Sequence, residues 1–96
     1  MDRIDVRATP ATAGWACDVT VTGSGSETRH AVRVSAADLQ RLMPGAPDPG
    51  ELVRASFAFL LEREAKESIL RSFDLPVIGR YFPEYEVEIR ARLSRS

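Results

Sequence analysis

The sequence predicts an α+β domain in which an N-terminal antiparallel β-hairpin is followed by three to five helices. Three observations point there. Residues 15–34 hold two alternating apolar and polar runs separated by Gly23-Ser24-Gly25-Ser26, the pattern of half-buried strands around a turn. Helix start signals then recur at Ser35, Asp48 and Pro83. Finally, six of the seven aromatic residues fall in Phe57–Tyr85, interspersed with Leu60, Leu61, Ile69, Leu70, Leu75, Val77 and Ile78. So dense a block is either the core or a surface that a partner covers.

Along the chain, Ile4, Val6 and Ala8 alternate with Arg3, Asp5 and Arg7, which makes residues 4–8 a candidate third strand. Thr9–Gly14 reads as a loop of small residues with one proline. In Trp15–Thr22, Trp15, Cys17, Val19 and Val21 share one face. Glu27–Val34 returns antiparallel. Pairing Thr22 with Glu27 sets Trp15 opposite Val34, Cys17 opposite Val32 and Val19 opposite His30, so the apolar faces coincide.

Ser35 followed three residues later by Asp38 resembles a capping box and opens a short helix to about Met43. Pro44-Gly45-Ala46-Pro47 stops it. Asp48 as N-cap, Pro49 at the first position and Glu51 open a second helix, running to about Glu64. Phe57–Leu61 is apolar around most of that helix, so it must be covered on two sides. Ile69, Leu70 and Phe73 suit a further helical face. Pro76 suits the first turn of a short helix over Val77–Phe82. Pro83 opens a last helix, Glu84–Leu93, with Tyr85, Ile89 and Leu93 spaced by four and a basic end that complements its dipole.

The division expected is one domain over residues 1–96, β-rich over 1–34 and helical over 35–93, with 94–96 a tail. At 44% apolar and 28% charged, the chain has an ordinary globular composition. A net charge of −1 supplies no global attraction to nucleic acid or anionic membrane. The first ten residues lack the apolar stretch of a signal peptide, and no apolar run is long enough to span a bilayer, so a cytoplasmic protein is expected. One cysteine, Cys17, excludes an intrachain disulfide and reads as a buried thiol. Twelve of the thirteen basic residues are arginine, with Lys66 the exception, which fits a GC-rich coding sequence.

No catalytic constellation emerges. His30 is the only histidine, and no spacing of His or Cys suggests a metal site. The serines near it lack a nucleophile elbow. Glu62, Glu64 and Glu67 are interleaved with Arg63 and Lys66, as on a solvated face. Gly23-Ser24-Gly25-Ser26 lacks the lysine and the strand-to-helix setting of a phosphate loop. The expectation is therefore a non-enzymatic interaction or regulatory module without cofactor or metal. Tyr81, Phe82, Pro83 and Tyr85 are its candidate protein interface, because aromatics anchor interfaces. Unpaired sheet edges together with the aromatic excess point to a homodimer. The alternative is a DNA-binding or antitoxin-like regulator. It takes residues 67–85 as a helix-turn-helix-like segment, with Arg71, Arg80 and Arg90 as nucleic-acid contacts.

The segments FLLERE, SILRSFDL and YFPEY resemble small bacterial proteins of unknown function, over roughly residues 15–90. The resemblance implies a bacterial source and an intact domain, and it brings no activity, cofactor or site residues.

Overall fold

The computed structural model describes residues 2–94. A four-stranded sheet is covered on one face by helices. Its strands are β1 (Arg3–Ala11), β2 (Gly14–Gly23), β3 (Ser26–Ser35) and β4 (Ser72–Asp74), in the order β1-β2-β3-β4. The α-helices are α1 (Ala36–Leu42), α2 (Gly50–Leu61), α3 (Ile78–Tyr81) and α4 (Tyr85–Leu93), with 3-10 turns at Lys66–Ser68 and Leu75–Val77.

The expected hairpin forms in the expected register, with Thr22 opposite Glu27, Trp15 opposite Val34, Cys17 opposite Val32 and Val19 opposite His30. Pairing continues one step further, to Gly23 and Ser26, so the turn shrinks to two residues. Ser24 at φ 52° and Gly25 at φ 77° supply the left-handed conformations that such a turn needs. The candidate third strand is present and longer than residues 4–8, because Thr9, Pro10 and Ala11 extend the ladder instead of forming a loop. The turn back to β2 is held by Ala13 at φ 60° and by Gly14. A Cβ on Gly14 would collide with the Val34 carbonyl oxygen and stand 2.8 Å from the Ser35 Cα.

Two helix starts follow the capping logic with small shifts. The Ser35 hydroxyl accepts from the Asp38 N–H at 3.0 Å and opens α1. Asp48 accepts from the Gly50 N–H at 2.8 Å, two residues on, and Pro49 occupies the cap position expected of Asp48. Helix α2 ends at Leu61, short of Glu64.

The helical face expected from Ile69, Leu70 and Phe73 does not form. A 3-10 turn precedes Ile69, and Ser72–Asp74 joins the sheet parallel to β3, with Phe73 beside Val32. Burial explains the outcome. Phe73 and Leu75 point inward around exposed Asp74, which is strand alternation, while Leu70 is left exposed. The portion assigned to helices therefore completes the sheet, after a crossover that contains α1 and α2. The short helix over Val77–Phe82 becomes a 3-10 turn leading into the single turn of α3. Helix α4 begins at Tyr85, one residue late, and ends at Leu93; of the expected tail, residues 95 and 96 lie outside the described residues.

The core lies between the sheet and the helices. Cys17, Val19, Val21, Val32 and Val34 meet Leu39, Leu42, Leu52, Val53, Phe57 and Leu60, all nearly or fully buried. Trp15 and Leu61, expected in the core, pack at its margin. Helix α2 touches β1 on one side and α4 on the other, which accounts for its all-round apolar sequence. The other face of the sheet is open and carries Asp5, Arg7, Asp18, Arg29 and Arg33.

Candidate functional site

A predominantly apolar cleft, edged by two of the exposed large hydrophobic side chains, lies where the segment after α2 folds back over the core. Leu60, Ile69, Phe73 and Ile78 form the buried floor of a cleft of about 160 Å3. Leu70 and Tyr81 form its rim and are 45% and 65% exposed. Phe82, half-buried, closes one side, and the polar edge comes from Glu64 and Ser68.

Leu70 and Phe82 are set in place by identifiable contacts. The His30 ring is buried, lies 5.2 Å from the Phe57 ring, and its Nδ1 is 2.8 Å from the Leu70 carbonyl oxygen. A carbonyl can only accept, so Nδ1 carries the proton. In the neutral ring Nε2 then accepts from the Thr28 hydroxyl at 2.9 Å. The histidine thus ties strand β3 to the backbone of the rim. Phe82 packs edge-on against Phe59 at 5.9 Å, and Phe59 packs in the same way against Tyr85 at 5.4 Å.

Behind these rings, charged side chains clasp α2 to α4. The Arg63 guanidinium lies 3.6 Å above the centre of the Phe59 ring. It donates to Glu84 at 3.3 Å, to Glu88 at 2.9 Å and to the Phe59 carbonyl at 3.1 Å. Arg92 donates to Glu62 and Glu88, and its hydrogen bond holds the Glu62 carboxyl below its ordinary range. These carboxylates are already engaged by arginine, which accounts for them structurally. Among the described residues no group of three or more His, Cys, Asp or Glu side chains is placed to hold a metal ion.

Of the four aromatic-segment residues singled out in the sequence, Tyr81 and Phe82 line the cleft and Pro83 is exposed in the turn beside it. Tyr85 departs from the interface expected of it. It is fully buried, and its hydroxyl lies 2.7 Å from that of Ser56. Burial raises its pKa above the ordinary phenol value. At the first position of α4, facing α2, it completes the core and offers no surface to a partner. Leu70 is not among the sequence candidates, because helical spacing assigns it inward beside Ile69.

The three arginines of the nucleic-acid alternative are not brought together. Arg71 borders a groove with Arg7, Arg29 and Arg54, Arg80 borders one with Trp15 and Asp74, and Arg90 borders a third with Met43 and Pro44. Residues 67–85 contain a strand and one helical turn before α4, so the two helices of a helix-turn-helix do not form there.

Cys17 is 1% exposed, and burial raises its thiol to about 11, which makes it inert at neutral pH. No helix among the described residues is long and apolar enough to cross a membrane. Comparison with protein-family models, with curated proteins and with solved structures finds no match.

Proposed function

We propose that this chain is a non-enzymatic interaction module of the bacterial cytosol, and that it binds a protein partner through the cleft beneath Leu70 and Tyr81. The observation that carries the reading is the pairing of a small apolar cavity with an exposed apolar rim. A cavity of ~150 Å3 holds one benzene ring, whereas small-molecule sites run from roughly 300 Å3 upward. At about 160 Å3, this cleft suits one aromatic or branched aliphatic side chain, with Leu70 and Tyr81 closing around it. That is how an anchor residue is received at an interface.

The test is a tagged pull-down from lysate of the source organism, with wild type, Tyr81→Ala and Leu70→Asp, each with and without nuclease. Both side chains project into water, so both variants should stay folded. One protein recovered in stoichiometric amount by wild type, resistant to nuclease and lost from both variants, is the expected result. The same protein retained by both variants would sink the assignment to this cleft. Material lost only with nuclease would replace it with nucleic-acid binding.

A further inference from the structure

We propose that β1 is a dimerisation edge, pairing antiparallel with β1 of a second copy about a two-fold axis at Val6. This inference concerns the opposite side of the sheet from the cleft and stands independently of it. Strand β1 is the outer strand of the sheet and is nine residues long. An edge of that length presents a row of unpaired backbone groups.

The hairpin fixes which groups these are. Ala11 and Gly14 close the two-residue turn and therefore exchange hydrogen bonds. Counting back, Thr9, Arg7, Asp5 and Arg3 direct their backbone groups toward β2, and Ile4, Val6, Ala8 and Pro10 direct theirs outward. An independent contact agrees. The Ile4 carbonyl is turned outward far enough to accept from the Arg54 side chain, at 3.4 Å. Pro10 has no N–H to offer, and it stands where the outward ladder would end.

The core side of the same strand is incomplete. Cys17, Val19 and Val21 of β2 are at most 1% exposed, but Ile4, Val6 and Ala8 of β1 are only half-buried. A further strand beside β1 would cover them.

Charge identifies that strand as a second copy. With the axis at Val6, Val6 faces Val6 of the copy and Ile4 faces Ala8, each pair exchanging hydrogen bonds through outward groups, with the Ala8 N–H of the copy taking the place of the Arg54 side chain at the Ile4 carbonyl. On the open face Asp5 then meets Arg7 of the copy, and Arg7 meets Asp5. Both are exposed; Asp5 pairs with Arg3 of its own strand at 3.2 Å, and Arg7 makes no ion pair among the described residues. Moving the axis to Asp5 sets Asp5 against Asp5 and Arg3 against Arg7. Moving it to Arg7 sets Arg7 against Arg7. An axis at Ile4 restores opposite charges but pairs only Arg3, Ile4 and Asp5 of β1. The register at Val6 is thus the one that matches the core face, the charges and most of the strand. It would join two four-stranded sheets into one.

Sedimentation of the full chain at micromolar concentration tests this, using wild type, Asp5→Arg, Arg7→Asp and an equimolar mixture of the two variants. Wild type should sediment at twice the chain mass of 10.6 kDa. Each variant alone places like charges opposite one another twice and should dimerise at least about tenfold more weakly. The mixture should recover wild-type assembly, because the two arginines of one variant then meet the two aspartates of the other across the interface. Circular dichroism would establish that both variants are folded, and an unfolded chain would not regain its partner on mixing. Wild type at single-chain mass, a variant assembling as tightly as wild type, or a mixture that stays monomeric would each overturn the proposal.

Discussion

Removing the two hydroxyls of the buried Ser56–Tyr85 pair should have unequal effects. Ser56 Oγ lies 2.7 Å from the Leu52 carbonyl oxygen and 2.7 Å from the Tyr85 hydroxyl. Its single proton goes to the carbonyl, so Tyr85 must be the donor within the pair. Tyr85→Phe deletes that donor and leaves Ser56 bonded to Leu52, at a loss of about 1 kcal/mol. Ser56→Ala deletes the acceptor and leaves a buried phenol with nothing to receive its proton, at a loss of about 2–3 kcal/mol. The double variant has no stranded donor and should cost about 1 kcal/mol, less than the serine variant alone. The cycle therefore predicts a coupling of about 2–3 kcal/mol. Urea unfolding followed by circular dichroism and by the fluorescence of Trp15, the one tryptophan, would measure it. Additive losses, or a tyrosine variant weaker than the serine variant, would refute the donor assignment and the dry packing of α4 on α2.

Further outcomes follow from other contacts. Gly14→Ala drives a methyl into the Val34 carbonyl and the Ser35 backbone, and should lower stability by about 2 kcal/mol, read as a lower urea midpoint with an unchanged slope. The Cys17 thiol titrates near 9.0 when unfolded and at about 11 when folded. Its folded pKa is raised, so stability should be full below pH 9 and fall by about 3 kcal/mol between pH 9 and 11. The raised Tyr85 phenol steepens that fall above pH 10, and Cys17→Ala should abolish the part below it. His30→Phe keeps the ring against Phe57 but leaves the Leu70 carbonyl and Thr28 without their ring partner. A loss of about 2 kcal/mol is expected, with amide exchange accelerated more at Ala31, whose N–H donates to the Arg71 carbonyl, than elsewhere on the sheet. Arg63→Ala removes both the cation over Phe59 and the link to α4, and should cost about 1–2 kcal/mol, with Arg63→Lys recovering only part of it.

Local chemistry made much of the fold legible. The register of β2 and β3 could be read because a slip by one residue would turn Cys17, Val19 and Val32 into water. Ser35 could be read because a cap needs only its own helix turn. Where two patterns fitted the same residues, neighbours in space decided. Ile69, Leu70 and Phe73 satisfy helical spacing, while Phe73, Asp74 and Leu75 satisfy strand spacing, and the open edge of β3 selected the strand. That choice turned Leu70 outward and created the rim of the cleft. Likewise, the sequence marked Tyr81, Phe82 and Tyr85 alike as aromatic. Only the packing of α4 on α2 buried Tyr85 and left Tyr81 in water.

By itself, then, the sequence determined the α+β class, the hairpin register, the α1 cap and the absence of a familiar catalytic pattern. These depend on periodicity, local hydrogen bonds and residue type. The tertiary structure decided the fourth strand, the cleft, the scattering of Arg71, Arg80 and Arg90, and the exposure of β1. Each of those depends on which segments, distant in the chain, compete for the same apolar surface and the same unpaired backbone groups.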